Sequence, residues 1–247
     1  MKTVLITGCS SGFGLETARH FLDRDWNVIA TMRTPRQDVL PRSARLRVLA
    51  LDVTDPQSIA EAVDAAGPID VLVNNAGIGV LNALEGTSMD IARAVFETNT
   101  LGTIAMTRAV LPQFRERQAG RIVNVTSSVT LKSLPLLSVY TASKAAINAF
   151  TESLALELEP FHVQVNLVLP GRAPDTAFGD NARSLMREGF PAPYVDFAQK
   201  IFAGMAQSSL ITTPQDVAEA VWRAVNDPSC PLRIPAGADA VAVAEAL

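Results

Sequence analysis

The sequence predicts an α/β protein in one domain, residues 1–247, built as a doubly wound parallel sheet of about seven strands with helices on both faces. Three observations carry this. Short apolar runs with β-branched residues alternate with helical stretches, the pattern of right-handed βαβ crossovers. The runs are apolar almost throughout, as in Ile122-Val123-Asn124-Val125, which suits strands covered on both sides. A glycine-rich turn at residues 8–14 follows the first run directly.

The elements follow in order. Residues 4–7 form the first strand and, beyond the glycines, residues 15–24 the first helix. Strands two and three cover 28–32 and 46–51, then Asp52 and a helix over 56–66. Strand four, 71–73, ends in Asn74-Asn75-Ala76-Gly77, and a long helical segment covers 89–118. Strand five, 121–126, is very apolar and is expected near the centre of the sheet. A long helix over 138–159 is stopped by Pro160. Strand six, 163–169, ends at Pro170-Gly171, and 232–234 form a short seventh strand. The segment 172–212 stands outside this alternation. It is rich in Gly, Pro, Phe and Met and reads as a long irregular lid or binding loop. Open α/β sheets bind ligands beyond the carboxyl ends of their strands, so the residues closing each strand are expected to converge at one edge.

Bulk composition narrows the function. Hydrophobic residues make up 48% and charged residues 19%, which is a compact globular balance. A net charge of -4 leaves no basic footprint and argues against a nucleic-acid partner. Cys9 and Cys230 lie far apart, as do His20 and His162, so neither a disulfide framework nor a metal site is expected. The histidines read as surface or satisfied core residues. No apolar run approaches the ~20 residues that span a bilayer, and no signal peptide precedes the first strand. A soluble, cytoplasmic protein with no membrane partner is expected.

The turn has the spacing Gly-x-x-x-Gly-x-Gly, with Gly8, Gly12 and Gly14 separated by Cys9, Ser10, Ser11 and Phe13. Glycines permit a tight turn and close approach of a pyrophosphate, and the helix that follows offers free N–H groups to the anion. The second strand ends Ala30-Thr31-Met32-Arg33, with no acid to bond a ribose 2′-hydroxyl. Arg33 suits a 2′-phosphate instead, so NADP(H) is expected over NAD(H).

Tyr140 and Lys144 stand four apart, thirteen residues after Ser127. Residues at this spacing share one helix face. A phenol has an ordinary pKa near ~10, and a neighbouring cation lowers it by roughly 1–3 units. Lys144 is expected to do this for Tyr140, with Ser127 orienting the substrate oxygen. Such a phenol donates a proton to a carbonyl oxygen during reduction and takes it back during oxidation.

With these residues together the chain resembles the short-chain dehydrogenase/reductase (SDR) family over nearly its whole length. The resemblance implies a Rossmann-type fold and hydride transfer between a nicotinamide and an alcohol, ketone or aldehyde. Residues 7–14 match the cofactor turn, and Asp52 with Val53 the adenine contact. Asn74, Asn75, Ala76 and Gly77 match the motif that supports the sheet beside the cofactor. Asn99 matches the asparagine that holds a water in the proton relay. Ser127, Tyr140 and Lys144 match the rest of the catalytic tetrad, and Lys144 also holds the cofactor ribose. Pro170-Gly171 match the turn beside the nicotinamide. The family places a threonine five residues after that proline. Here Thr176 stands six after it, so the chain carries one extra residue before its expected cofactor contact.

The leading expectation is an NADP(H)-dependent carbonyl reductase or alcohol dehydrogenase, with a non-catalytic NADP(H)-binding regulatory protein as the alternative. An epimerase or dehydratase is a further enzyme class. The family's helices imply a homodimer or homotetramer through segments 89–118 and 138–159. The substrate is expected to be a small molecule, apolar and bulky, of steroid-, retinoid- or aryl-ketone-like kind. Phe178, Phe190, Phe197, Phe202, Tyr194, Met186 and Met205 all fall within 172–212, and the apolar stretch 131–139 leads into Tyr140. The competing reading is that these aromatics form a small core of the lid itself or an oligomer contact.

Overall fold

The structure, a computed structural model, describes residues 1–185, 189–207 and 209–247. The described residues form one parallel sheet of seven strands: β1 (Thr3–Ile6), β2 (Asn27–Met32), β3 (Leu46–Ala50), β4 (Val71–Asn74), β5 (Gly120–Val125), β6 (Val163–Pro170) and β7 (Arg233–Ala236). Their order is β3-β2-β1-β4-β5-β6-β7. The chain winds outward to β3, returns past β1 to β4 and then winds the other way to β7. That reversal opens a crevice beyond the carboxyl ends of β1 and β4.

Alternating side chains of each strand serve opposite faces. Val4 and Ile6 belong to one core with α1 (Gly12–Leu22) and α8 (Pro214–Asn226). Leu5 points into the other, against α2 (Pro56–Ala66), α4 (Gly102–Arg117) and α5 (Ser138–Leu158). On the first face Phe21 meets both Trp26 and Trp222 edge-on, at ring-centroid distances of 5.1 Å. On the second, Phe114 is fully buried, and its truncation to alanine would cost about 3–5 kcal/mol.

Several elements differ from the sequence expectation. The helical segment 89–118 is not one helix. It comprises α3 (Met89–Phe96), a π turn at Glu97–Leu101 and then α4. The π turn carries Asn99 and is the sort of local widening that turns a side chain out of the regular ladder. Segment 172–212 is not irregular throughout: its described residues include α6 (Phe178–Ser184) and α7 (Val195–Gln207). Helix α8 was not anticipated. Its start is written in the sequence as Thr213-Pro214-Gln215-Asp216, which folds as a reciprocal capping box with proline in the first turn. The short α9 (Ala238–Glu245) follows β7. Among the described residues no helix is long and apolar enough to cross a membrane.

Candidate active site

The end of β1 and the end of β4 form one body. The Thr7 hydroxyl oxygen accepts from the backbone N–H groups of Asn75 and Ala76, each at 2.9 Å. Asn75 Nδ2 donates to the carbonyls of Thr7 at 2.9 Å and Gly8 at 3.1 Å. Gly8 has φ +74°, and a Cβ there would stand 2.9 Å from Ala76 Cα. Only glycine fits both the left-handed backbone and the close approach. A Cβ on Gly14 would stand 2.4 Å from the Gly8 carbonyl oxygen. Ser11 at the N-cap of α1 makes no side-chain bond to the first turn, so backbone donors there are open to an anion.

Asp52, Val53 and Arg33 lie further along the same cleft. The Thr54 N–H and hydroxyl, at 2.9 and 2.7 Å, hold the Asp52 carboxyl below its ordinary range, and Arg33 adds a smaller attraction. Arg36, which the sequence reading missed, donates from Nη2 to the Ser10 carbonyl at 2.6 Å. It brings a second guanidinium to the turn.

At the other end, Ser127 follows β5, and its Oγ accepts from the Val129 N–H at 3.3 Å. Tyr140 and Lys144 project from one face of α5 and are both buried. Lys144 Nζ donates to the Val125 carbonyl at 3.0 Å and lies 6.0 Å from the centroid of the Tyr140 ring. Burial pushes the Tyr140 phenol up to about 12, against a hydrogen bond with Ser127 that lowers it. Burial also brings Lys144 down to about 8. This corrects the expectation that Lys144 depresses the phenol in the chain by itself. The ammonium is engaged with a backbone carbonyl, and dehydration of the phenol outweighs the neighbours that favour its anion.

Beneath these residues runs a buried polar network. Asn74 Nδ2 donates to Thr107 Oγ1 and Asn124 Oδ1, and Asn124 Nδ2 donates to Thr151 Oγ1 at 2.8 Å. It ties β4 and β5 to α4 and α5, so the strand ends and the Tyr140–Lys144 helix keep a fixed relation. Asn99 sits behind the cleft. Its Oδ1 accepts from the Ile78 N–H at 2.8 Å, and its Nδ2 donates to the Ile78 carbonyl and to Ser143 Oγ.

One cleft of about 1630 Å³ joins the two ends. Gly8, Ser10, Ser11, Gly12, Phe13, Arg33, Asp52, Val53, Asn75, Ala76, Gly77, Ser127, Tyr140, Lys144, Pro170, Gly171 and Thr176 all line it. Gly14 and Asn99 do not line it; they pack and brace the wall from behind. Thr176 reaches the glycine turn despite the extra residue, since a Cβ on Gly12 would stand 3.5 Å from Thr176 Cβ.

The aromatics of 172–212 divide between the two readings made of them. Phe178, Phe190, Phe202 and Met205 line the cleft, as do Leu134 and Leu137 of the stretch 131–139. Tyr194 and Ile201 instead pack on Ala83, Leu136 and Ala198 as a small core under the segment, which Phe190 also joins. Phe197 is exposed. Met186 lies outside the described residues. Two further residues were missed. Thr212 Oγ1 donates to Asp239 Oδ1 at 2.7 Å, and the Arg172 N–H donates to Asp239 Oδ2 at 2.5 Å. No local pattern announces a contact between positions this far apart.

One crevice thus has a glycine turn at one end and a Ser–Tyr–Lys cluster at the other. Comparison with known proteins gives the family. Residues 2–185 match the short chain dehydrogenase family model, and the chain belongs to that family. It is 35% identical over 254 residues to human retinol dehydrogenase 8, covering 94% of this chain and 80% of the relative. It is 35% identical over 249 residues to human 17-beta-hydroxysteroid dehydrogenase type 1, covering 93% and 76%. Among solved structures, a short-chain dehydrogenase from Streptomyces avermitilis superposes with a TM-score of 0.83 at 33% identity, covering 99% of this chain and 91% of that one. Structural neighbours carry either nicotinamide. A serine dehydrogenase (TM-score 0.81, 30% identity, 95% and 94% covered) is complexed with NADP+. A Burkholderia phymatum SDR (0.80, 26%, 95% and 88%) is complexed with NAD. The chain is an oxidoreductase of this family.

Proposed function

We propose that the protein interconverts an apolar, bulky ketone or aldehyde with its alcohol, using NADP(H), and that segment 172–212 is its substrate lid. The observation that carries this is that Ser127, Tyr140, Lys144 and the glycine turn line one cleft. The residues present fit a dinucleotide. Gly8 and Gly14 keep clear a space that a Cβ would fill, and the first turn of α1 leaves donors for a pyrophosphate. Gly8, Ser10, Ser11, Gly12 and Phe13 would hold the phosphates, Asp52 and Val53 the adenine end, and Asn75, Ala76 and Gly77 the middle. Pro170, Gly171 and Thr176 would border the nicotinamide, which supplies or accepts hydride at the substrate carbon. Arg33 would take the 2′-phosphate, with Arg36 beside it at Ser10.

In reduction Ser127 orients the carbonyl oxygen and the Tyr140 hydroxyl gives it a proton. A phenol of pKa about 12 is fully protonated at neutral pH and is ready for that direction. In oxidation Tyr140 must accept the proton, which requires its pKa to fall. Positive charge at Lys144 and at an oxidised nicotinamide favours the phenolate. Lys144 also reaches toward Gly77, where a Cβ would stand 3.4 Å from its Nζ, and so is placed for the ribose. Asn99 braces the same spot from behind.

The apolar side chains lining the substrate end support the substrate class. So do the names of the relatives, which act on a retinoid and a steroid. A panel of ketones and alcohols with NADPH and NADH tests the reading. NADPH consumption should be fastest with apolar ketones, and Tyr140→Phe should reduce kcat/KM by roughly 10²–10⁴-fold. More than about a tenth of wild-type turnover in that variant, in a step limited by chemistry, would remove Tyr140 from the role. A polyol or charged sugar as best substrate would overturn the substrate class alone.

A further inference from the structure

Gly79 and Phe178 lie about a hundred residues apart in sequence and fit one another in space. Gly79 is buried in the stretch that follows β4. A Cβ there would stand 2.4 Å from Cζ of Phe178 and 2.7 Å from its Cε1. Gly79 is not among the residues with left-handed backbone. Its lack of a side chain therefore serves the phenyl ring and not the main chain. The ring also stands against Tyr140, with centroids 5.5 Å apart and planes tilted by 59°. Phe178 opens α6 and remains 38% exposed, facing the cleft that it lines. Its position is also set from the cofactor side. Its N–H donates to Thr176 Oγ1 at 3.4 Å, and Thr176 stands against Gly12.

We propose that Phe178, seated in the gap at Gly79 and against the Tyr140 ring, is the specificity-determining residue of the site. Its ring limits the size of the substituent that the carbonyl carbon can carry beside the Tyr140 hydroxyl. The space has one rigid side, the backbone at Gly79, and one adjustable side, the ring. A substrate with a small group beside its carbonyl fits with the ring seated. A larger group competes with the ring for the same volume. Removing the ring enlarges the space. Adding a methyl group at position 79 displaces the ring toward the substrate and reduces it.

This rests on the reading of the chain as a carbonyl–alcohol oxidoreductase, and the experiment separates the two. The kcat/KM ratio of phenyl butyl ketone to phenyl methyl ketone is measured with NADPH for wild type, Phe178→Ala, Gly79→Ala and the double variant. A pocket change of a few methylene groups moves such a ratio by roughly tenfold or more. Phe178→Ala should raise the ratio by about that factor, and Gly79→Ala should lower it. In the double variant the Gly79→Ala effect should vanish, because the ring that the methyl group displaces is gone. General loss of folding would lower both rates and leave the ratio unmoved. An unchanged ratio in Phe178→Ala, or a Gly79→Ala effect that persists in the double variant, overturns the proposal. Should wild type turn over neither ketone, the reading of these aryl ketones as substrates fails. The same ratio is then read as the dissociation constants of the two ketones from NADP+-saturated protein by calorimetry, and equal ratios in all four proteins overturn the role of Phe178 independently.

Discussion

Lys144→Met should make the cofactor-free protein more stable while removing most of its activity. Lys144 is buried, and its pKa falls from 10.5 to about 8 on burial. At about 1.36 kcal/mol per unit, keeping it charged in the fold at neutral pH costs about 3 kcal/mol. Methionine has a similar stem and no charge to dehydrate. The substitution gives up the charged hydrogen bond to the Val125 carbonyl, worth about 1.5–3 kcal/mol. The net gain is about 1 kcal/mol, or a Tm rise of about 2–4 °C in a chain of this length. The sign of the pH dependence is fixed by the direction of the shift. The folded pKa lies below the unfolded one, so wild type is penalised below about pH 8 and recovers stability as pH rises toward 10.5. The Tyr140 phenol, raised in the fold, begins to act in the opposite sense above about pH 10, so the informative window is about pH 8 to about pH 10. Urea melts of both proteins across that window should converge with rising pH. A variant less stable than wild type at pH 7, or a gap independent of pH, would refute the reasoning. The expected loss of turnover makes the lysine a case of stability given up for function.

Arg33→Ala should weaken NADPH binding by roughly ten- to a hundredfold more than NADH binding, as expected for loss of a charged partner worth on the order of 1.5–3 kcal/mol; equal weakening of both, measured by fluorescence titration, would remove it from the 2′-phosphate. His20 is buried against Trp222, its Nε2 has no hydrogen-bond partner among the described residues, and its pKa is lowered, first by burial and then by Arg24, against smaller opposing effects of Glu219, Glu16 and Asp23. Its folded pKa lies below the ordinary 6.5, so wild-type Tm should drop as pH falls below about 6.5, and the drop should be smaller in His20→Gln; parallel Tm curves would count against it. Leu101 and Leu156 are exposed on the segments through which the family resemblance implies association, so light scattering should give a homodimer or homotetramer; a monomer that persists at high protein concentration would contradict this.

What the sequence made legible was local or repetitive. Helix 56–66 was legible to the residue, and the structure shows why: Asp55 caps it and Pro56 opens it. The glycine turn and the Tyr140–Lys144 pair were legible because their spacings encode a turn and a helix face. Helix α8 is equally legible in its capping box. The π turn at Asn99 was not legible, since Glu97–Leu101 has no composition that distinguishes it from helix. Nor was the direction of the Tyr140 shift. That depends on how completely the phenol is dehydrated, which only the packed structure decides. The pairing of Gly79 with Phe178 and the carboxylate of Asp239 are long-range and leave no periodic trace.

Asp239 gives segment 172–212 a fixed point of attachment. Both ends of segment 172–212 meet at this carboxylate. The Thr212 N–H donates to the Arg172 carbonyl at 2.8 Å, and Asp239 receives the Thr212 hydroxyl and the Arg172 N–H. Gly171 and Gly237 make the approach possible, since a Cβ on either would fall within 2.1 Å of Asp239 or Thr212. The segment therefore enters and leaves through a fixed stem beside Pro170-Gly171. Closing a loop at such a stem costs little more for a long insertion than for a short one. Changes in the number and size of residues inside it should therefore leave the wall at Pro170-Gly171 in place. The cofactor end has no such freedom, because it is made of backbone and glycine contacts shorter than any side chain would allow. If segment 172–212 is the substrate lid proposed above, substitutions in α6, α7 and the ring at Phe178 should alter substrate choice, and substitutions at the strand ends should alter the hydride step.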